Sequence, residues 1–484
     1  MPAIPFDNSY ATLPESLYTK LPPESVPSPN LICVNRTLAK KLGISPEFLQ
    51  SPEGLQALSG NAILQGSEPL AQAYAGHQFG HYSPQLGDGR AILLGEIISP
   101  SDDQRYDIQL KGSGRTPYSR GGDGKAALGP VMREYILSEA MHALGVPTTR
   151  ALAAVTTGEI VVRQDGPQPG AIFTRIASSH IRVGTFQWSA AQGDTNLLRS
   201  LADYTIDRHY PSARNHTSPY QSLLSQVIDA QAKLVSQWMA LGFIHGVMNT
   251  DNTTISGETI DYGPCAFMDK FHPNCVFSSI DEQGRYAWGK QASIILWNLT
   301  RFAETLLPLI DENTDTAIAI AEETLSSFQH TFESLYLARF RDKLGLPPTA
   351  PVAIIQDLLQ LMADQEVDFT LCFTELTRSL ASNDNSPLAA LFLDPHSITL
   401  WTQQWKQHIE PDSALKTMRQ HNPVRIPRNH RVEQAIQAAY QGDFAPFHQL
   451  NKALTSPYSE STQHADFESP PLPHEIVRET FCGT

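Results

Sequence analysis

The side chains with the clearest chemical meaning lie in a short segment that follows a long apolar stretch. The chain reads His-Gly-Val-Met-Asn-Thr-Asp-Asn from His245 to Asn252, and nine residues later it reads Asp-Tyr-Gly from Asp261. A histidine loop that ends in Asn and is followed by Asp, an aromatic residue and Gly is typical of the metal-binding half of a protein kinase site. There the Asn and Asp oxygens bind Mg²⁺, which bridges the nucleotide phosphates. The spacing therefore predicts Asn252 and Asp261 as metal ligands.

Two charged residues upstream complete this arrangement. Lys111 ends a predicted strand, and Glu134 lies 23 residues later in the first turn of a predicted helix. Kinases use a strand lysine, held by a helix glutamate, to neutralise phosphate charge. A lone lysine or glutamate is usually a solvated surface residue. The ordered set of Lys, Glu, His to Asn, and Asp-aromatic-Gly is much more specific, and it predicts that Lys111 and Glu134 act together.

One position departs from the kinase pattern. Kinases place an Asp five residues before the Asn, where it orients the attacking hydroxyl, but this chain has Val247 there. A valine side chain accepts neither a proton nor a hydrogen bond. Asp251 is the carboxylate that can act as general base from a shifted position. Two alternatives stay open: a conventional kinase, which Val247 disfavours, and a non-catalytic nucleotide-binding scaffold, which the retained metal ligands disfavour.

Strands and one helix are predicted to position the upstream residues. Short runs of apolar or alternating residues predict strands at 91–97, 106–111, 151–156, 160–163 and 171–176. A turn is predicted at Gly158 and Glu159. Pro130 suits the first turn of a helix and Gly145 suits its C-terminus, so one helix is expected between the second and third strands.

The chain becomes helical by pattern after about residue 195. One apolar stripe runs from Leu223 to Leu241, and two helices are predicted within 313–344. The predicted organisation is an N-terminal extension at 1–70, a β-rich lobe at 71–190, a helical lobe at 191–455 that contains the catalytic and metal loop 243–263, and a tail at 456–484.

Composition excludes several classes of function. Acidic residues exceed basic ones by 50 to 35, which gives a formal net charge of −15. A protein that grips a nucleic acid backbone usually carries a basic excess, so no nucleic acid partner is expected. No apolar run reaches the roughly 18 residues that a membrane span needs, and the N-terminus does not read as a secretory signal. Five cysteines without a Cys-x-x-Cys pair support neither a disulfide scaffold nor a zinc ribbon. We expect a cytoplasmic protein.

Long motifs carry a family resemblance. They are AQAYAGHQFG at 71–80, QLGDGR at 85–90, QLKGSGRTPYSR at 109–120, REY at 133–135, GVPTTR at 145–150, the block 245–261, and IPRNH at 426–430. On these motifs the chain resembles the selenoprotein O (SelO/YdiU) family of kinase-like proteins over almost its whole length.

The resemblance implies a fold and an activity. The implied fold is α+β and two-lobed like a protein kinase, with a small β-rich N-lobe that contains one key helix, a large helical C-lobe, and extensions at both ends. The family binds ATP in a flipped orientation, with the triphosphate directed into the pocket. It transfers AMP to Ser, Thr or Tyr hydroxyls of protein substrates and releases pyrophosphate. UMP transfer from UTP has also been attributed to it, and self-modification is an expected side reaction.

The resemblance also implies residue roles. Lys111 and Glu134 would form a phosphate-supporting ion pair, Asn252 and Asp261 would hold Mg²⁺ or Mn²⁺, and Asp251 would accept the proton. The residues implied to line the nucleotide are Gly87, Gly89, Arg90, Lys111, Asp123, Gly124, Arg175, Arg182 and Asp261. Arginine binds phosphate oxygens bidentately, and glycine loops allow close backbone approach to them, so the physical chemistry is compatible with these roles.

The C-terminus supplies a redox hypothesis. Family members in animals carry selenocysteine close to this end, and this chain has Cys482 there without a neighbouring second cysteine. We expect Cys482 either to cross-link to Cys275, which follows the metal loop, or to stay an unpaired thiol.

Overall fold

The computed structural model describes residues 4–164 and 166–481. The described chain is α+β, with most strands before residue 180 and most helices after it. Its strands β1 to β12 are Tyr18–Lys20, Asn30–Val34, Leu70–Gln72, Gly76–Gln78, His81–Ser83, Ala91–Ile98, Arg105–Lys111, Ala126–Ala127, Arg150–Arg163, Gly166–Ala177, Phe243–Ile244 and Ala266–Phe267. Its helices α1 to α16 are Arg36–Lys41, Pro46–Leu49, Pro52–Leu58, Leu128–Ala143, Val183–Ala191, Thr195–His209, Pro219–Ala240, Gln291–Ile310, Thr314–Leu344, Ala353–Asp364, Phe369–Ser382, Ser386–Ala389, Pro395–Trp405, Pro411–His421, Asn429–Tyr440 and Ala445–Leu454.

One antiparallel sheet of eight strands dominates the first part of the chain. Its order is β1-β3-β6-β7-β10-β9-β2, and β8 pairs with β10 beside this path. The strands predicted at 91–97, 106–111 and 171–176 are confirmed as β6, β7 and β10. Since β7 and β10 are neighbours at the centre of the sheet, the residues they carry are held on both sides by strand pairing.

The turn predicted at Gly158 and Glu159 is wrong. The predicted strands 151–156 and 160–163 form one continuous strand, β9, of 14 residues. Its pairing with β10 shifts register between Pro169 and Ala171, and Gly158 has φ +76°. Glycine supplies a positive φ in a β-bulge as readily as in a turn. Gly158 therefore does mark an irregular backbone position, but that position is a bulge and not a turn. The hairpin turn falls after Arg163 instead.

Helices cover both faces of the main sheet. Side chains of α1 to α3, among them Leu38 and Leu49, pack with Ile108 of β7 on one face. Helix α4 covers the other face, where Ile136 and Phe173 share a core that α15 and α16 complete. Helix α4 is the helix predicted from Pro130 and Gly145, but it begins at Leu128, so the prediction that Glu134 lies in its first turn is wrong and Glu134 lies in the second turn. The face covered by α4 is also the one on which the charged residues of β7 and β10 lie, because alternate strand residues share a face.

A second, larger core holds the helical part together. It is built mainly from α5 to α14, and α7 carries the predicted stripe from Leu223 to Leu241. The prediction of two helices within 313–344 is wrong, because α9 is one helix of 31 residues. Asn313 caps its start, Gly345 ends it at φ +61°, and the residues between contain neither Gly nor Pro. No helix within residues 4–164 and 166–481 is long and apolar enough to cross a membrane.

Candidate active site

A cavity of about 800 Å³ lies between the main sheet and the loop 243–263. Nearly all of the residues predicted for the site contribute to its walls. Those that do so are Gly87, Gly89, Arg90, Lys111, Asp123, Gly124, Arg175, Arg182, Asp251, Asn252 and Asp261. Glu134 lies behind this wall, in contact with Lys111. Residues that are up to 174 positions apart in the chain thus meet at one place.

Lys111 joins two carboxylates at the floor of the cavity. It ends β7, and its Nζ lies 2.6 Å from Glu134 Oε2 on α4 and 2.6 Å from Asp261 Oδ1. The lysine and glutamate side chains are 11% and 6% exposed, so water screens this contact little. The predicted pairing of Lys111 with Glu134 is therefore present as a geometric fact, and Asp261 shares the same ammonium group.

Two arginines converge on the same aspartate. Arg175 Nη1 donates to Asp261 Oδ1 at 2.9 Å and to Glu134 Oε1 at 3.2 Å. Arg182 Nη1 donates to Asp261 Oδ2 at 3.3 Å and to the Asp251 carbonyl at 2.9 Å. Burial alone would raise the pKa of Asp261, but Lys111 and the two arginines outweigh it and hold this pKa well below its usual value. Three positively charged side chains thus surround one carboxylate, and a cluster of this kind can bind phosphate oxygens.

His245 positions Asp261 rather than taking part in chemistry. Its ring is fully buried and stacks on Trp238, with ring centroids 5.3 Å apart. Its Nε2 lies 2.8 Å from the Ile260 carbonyl, and because a carbonyl oxygen only accepts, Nε2 carries the proton. Burial lowers the pKa of His245, so the ring is neutral. This bond ties the 243–252 segment to the backbone that bears Asp261, which itself has φ +60°.

Asp251 is a buried carboxylate with one oxygen that has no hydrogen-bond partner among the described residues. Gln78 Nε2 donates to its Oδ2 at 3.1 Å, while Oδ1 has no hydrogen-bond partner among residues 4–164 and 166–481. Burial raises the pKa of Asp251 to about 6, against the smaller effects of Gln78 and Arg182. Val247 also lines the cavity, so no side chain at that position can accept a proton there. Asp251 and Asp88 are thus the wall carboxylates that each have one oxygen without a hydrogen-bond partner among the described residues, and Asp251 is the one in the 243–252 segment.

The donor set at the cavity fits a hard divalent cation that also binds phosphates. Asn252 Nδ2 donates to the Val247 carbonyl at 3.0 Å, which leaves the amide oxygen of Asn252 for another partner. Together with Asp261 it offers two oxygen ligands, and Mg²⁺ in nucleotide sites is held by one or two protein oxygens plus phosphates and water. In the described ranges there is no group of three or more His, Cys, Asp or Glu side chains placed to hold a metal.

The glycines of the predicted nucleotide loops are explained by close packing. Gly87 has φ +70°, and a Cβ there would overlap the ring of Tyr118. Gly124 has φ +68°, and a Cβ there would overlap the backbone at Gly114. Gly89 allows the same close approach to the Tyr118 carbonyl. These glycines let two loops pack tightly against each other at the mouth of the cavity.

Asp123 is engaged by a neighbouring strand. Arg163 of β9 donates to both of its oxygens, at 2.8 and 3.2 Å, and the Lys125 amide donates to Oδ1 at 3.0 Å. Burial opposes ionisation, but these donors lower the pKa of Asp123. The carboxylate therefore fastens the 119–125 loop to the sheet. Arg90, also predicted for this region, lies in the cavity wall.

Sequence reasoning missed four wall residues that contact the predicted ones. Tyr74 lies under the guanidinium of Arg182, 4.5 Å from ring centroid to Cζ. Gln78 holds Asp251, and Asn249 accepts hydrogen bonds from the Phe79 amide at 3.1 Å and the Tyr286 hydroxyl at 2.6 Å. The fourth is Asp88, which lies 3.6 Å from Arg182. All four lie within the motifs at 71–80, 85–90 and 245–261. Their partners lie in distant parts of the chain, so spacing gave no signal for these contacts.

The C-terminal tail reaches the segment that follows Asp261. Thr480 Oγ1 donates to the Pro264 carbonyl at 2.6 Å, and its amide donates to the Phe277 carbonyl at 2.7 Å. Cys275 is a free thiol whose pKa burial raises to about 11. Cys482 lies outside the described residues, so its cross-link to Cys275 stays a prediction.

Comparison with known proteins links these features to a family. The model of the family described as "Protein adenylyltransferase SelO" matches residues 2–455. A protein of Nitrobacter hamburgensis named protein nucleotidyltransferase YdiU is 54% identical over 489 residues, which cover 99% of this chain and 96% of that relative. Proteins of the same name are 55% identical in Rhodopseudomonas palustris strain HaA2, over 99% of both chains, and 54% identical in Rhizobium rhizogenes, over 100% of this chain and 97% of the relative.

Proposed function

Because this chain belongs to the SelO family of protein adenylyltransferases, we propose that it transfers AMP from ATP to Ser, Thr or Tyr hydroxyls of protein substrates and releases pyrophosphate. UTP serves as a second donor in the same proposal, with UMP as the group transferred. The observation that carries the proposal is the arrangement at the cavity floor. Asp251, a buried aspartate with one oxygen that has no hydrogen-bond partner among the described residues, lies beside the cations that surround Asp261. Val247 occupies the position at which a kinase has its catalytic Asp.

The distribution of charge supports a nucleotide that enters triphosphate first. Arg175 and Arg182 are 1% and 2% exposed and lie at the floor with Lys111. Val162 and Ile280, which are 73% and 54% exposed, line the mouth. Phosphate charge is stabilised where cations are buried, and a base is stabilised by apolar contacts. This arrangement therefore favours phosphates inside and the base at the mouth.

The proposed reaction needs one proton acceptor and a set of donors for the phosphates. A substrate hydroxyl attacks the α-phosphorus, its proton passes to the Asp251 carboxylate, and the bond between the α-phosphorus and the bridging oxygen breaks as pyrophosphate leaves. Lys111, Arg175 and Arg182 now hold Asp261 and can move part of their hydrogen bonding to the phosphate oxygens. Charge-assisted bonds of this kind stabilise the negative charge that develops during the attack.

Asn252 and Asp261 would hold the divalent cation, Mg²⁺ or Mn²⁺. When bound, that cation would supply Lewis-acid stabilisation of the phosphate oxygens. The chain's own contribution is to keep both oxygen ligands at the wall: the Val247 carbonyl orients the Asn252 amide, and His245 holds the backbone before Asp261.

The architecture proposed for this chemistry is that of a protein kinase. Residues 71–190 would be the N-lobe, with α4 as its key helix, and 191–455 the C-lobe. The order Lys111 on a strand, Glu134 on α4, and the 243–263 loop between the lobes supports this division, as does a main sheet covered by α4 on the cavity side. Residues 1–70 and 456–484 would be additions to that fold.

The proposal is tested by identifying the leaving group. The purified chain is incubated with ATP, divalent cation and a protein mixture, and the released products are resolved by ion-exchange chromatography. Pyrophosphate formed in proportion to modified protein supports nucleotidyl transfer, with Asp251→Asn as the inactive control. Release of ADP in proportion to modified protein would mean phosphoryl transfer and would refute the proposal.

A further inference from the structure

A buried pair of polar side chains adjoins the cationic floor of the cavity, with Asp88 in the cavity wall and Gln109 behind it. Gln109 of β7 is opposite Arg175 of β10 in the sheet register, and Asp88 lies in the loop before β6. All three residues are at most 2% exposed. Neither Gln109 nor Asp88 has a part in the chemistry described above, yet burying an amide and a carboxylate is unfavourable unless both are well paired.

The contacts of Gln109 admit one orientation of its amide. Its Oε1 accepts from Arg175 Nε at 3.1 Å and from Arg175 Nη2 at 2.6 Å, and its Nε2 donates to Asp88 Oδ2 at 3.2 Å. Arginine has only donors and an ionised carboxylate has only acceptors. Turning the amide over would face donors with donors and an acceptor with an acceptor. Asp88 therefore determines that Gln109 presents its oxygen to Arg175.

Asp88 is itself fixed by the backbone and reaches the second arginine. Its Oδ2 also accepts from the Gln72 amide at 3.1 Å, and its own amide donates to the Gln72 carbonyl at 2.9 Å. Its Oδ1 lies 3.6 Å from Arg182 Nη2. Arg175 and Arg182 continue from this side to the two oxygens of Asp261. The pair thus holds Arg175 by hydrogen bonds and faces Arg182 through an ion pair at 3.6 Å without a hydrogen bond.

We propose that Asp88 and Gln109 are positioning residues that hold Arg175 and Arg182 in the geometry that binds the nucleotide phosphates. This proposal rests on the proposed function, because it takes the cavity to be the nucleotide site. Gln109 anchors the Nε and Nη2 edge of Arg175, which leaves the Nη1 end directed at the cavity floor. Losing a buried hydrogen bond to a charged group changes an equilibrium by about tenfold to a hundredfold.

The test exchanges the charge within the pair. Gln109→Glu alone sets two carboxylates against each other and leaves Asp88 without its donor. The double variant Asp88→Asn/Gln109→Glu restores the bond between the two side chains, because the new amide donates to the new carboxylate, which accepts both nitrogens of Arg175. The formal charge of the pair is that of the natural chain, but the Gln72 amide, which also donates to Asp88 Oδ2, loses its acceptor. Calorimetric titration of the full chain with ATP and with inorganic tripolyphosphate gives both affinities, and a thermal melt monitors folding.

We expect Gln109→Glu to weaken the binding of both ligands by about tenfold to a hundredfold and the double variant to recover part of the loss. Glu139→Gln is the matched control, because it neutralises a partly buried residue of α4 that pairs with Arg150 of β9 away from the cavity. It should lower the melting temperature and leave both affinities unchanged. If the role of Gln109 were purely structural, Gln109→Glu would behave like Glu139→Gln: it would lower the melting temperature and leave both affinities unchanged.

The outcomes separate this proposal from the function on which it rests. No binding of ATP or tripolyphosphate by the natural chain would overturn the proposed function itself. Normal binding by the natural chain and by Gln109→Glu would overturn the positioning role alone. If Gln109→Glu does not fold, Asp88→Asn decides, because its amide oxygen can keep the bonds from Gln72 and Gln109 while the charge facing Arg182 is lost. An unchanged tripolyphosphate affinity in that variant refutes the proposal.

Discussion

Replacing Asp251 by Asn should separate stability from activity at the proposed proton acceptor. Asp251 is 7% exposed, and its Oδ1 has no partner among the described residues. An Asn side chain keeps the shape and can still accept the hydrogen bond from Gln78. The substitution therefore removes a buried charge, and part of this gain is offset because the new amide nitrogen has no acceptor at the Oδ1 position. We expect the chain to become more stable near neutral pH while transfer activity falls.

The size of the stability change follows from the pKa of Asp251. Burial raises this pKa from 3.8 to about 6 in the folded chain without metal or nucleotide. A difference of about two pKa units corresponds to roughly 3 kcal/mol. Since the folded pKa is the higher one, the charged carboxylate destabilises the folded state fully above pH 6, and the penalty disappears as the pH falls to 3.8. Asp251→Asn should thus raise the free energy of unfolding by up to about 3 kcal/mol at pH 7 and by little near pH 4.

Urea unfolding of the metal-free chain at several pH values measures this, and a transfer assay measures activity. Loss of a general base lowers the rate by about 10²–10⁴. Asp123→Asn is the matched control with the opposite sign, because donors including Arg163 lower the pKa of Asp123 and its replacement should destabilise the chain at pH 7. A less stable Asp251→Asn variant would refute the burial argument, and a fully active one would refute the role of Asp251 as proton acceptor.

Three further substitutions test other parts of the site. Asp261→Asn should abolish metal-dependent transfer, and a variant that keeps full activity with Mg²⁺ and Mn²⁺ would remove Asp261 from the metal site. Lys111→Met should lower the transfer rate by about 10²–10³, as the loss of a positioned charged donor does. Arg175 still pairs with Glu134 and Asp261, so the melting temperature should stay within a few degrees. An unchanged rate would contradict the phosphate role of Lys111. Val162→Asp at the cavity mouth should weaken ATP binding and leave tripolyphosphate binding unchanged. Ile160→Asp, at a similarly exposed position of β9 outside the cavity wall, should change neither affinity. If Val162→Asp weakened the binding of both ligands equally, it would contradict the proposed orientation of the nucleotide.

Sequence reasoning located the residues whose chemistry shows in local spacing. The loop from His245 to Asn252 and the following Asp261 are close in the chain, and the kinase pattern identified them together. Lys111 and Glu134 were found because strand and helix signals around them are strong. The structure places Lys111 in contact with both Glu134 and Asp261.

Contacts between distant segments could not be read from spacing. Gln109 and Asp88 matter through a hydrogen bond that forms only after β6 and β7 pair and the loop before β6 folds back. Gln78 reaches Asp251 across 173 positions. The long strand β9 shows the same limit on a smaller scale, since Gly158 suits a turn and a bulge equally, and only pairing with β10 decides between them.

The central claim is that this cavity transfers a nucleotide and not a phosphate. The most direct measurement is label transfer to a protein mixture, and to the chain itself, from ATP labelled on either the α- or the γ-phosphorus, with Asp261→Ala as control. We predict that protein acquires label only from the α-position and that the control acquires none. Label that arrives only from the γ-position would show a conventional kinase working without an aspartate at Val247, and it would contradict the account.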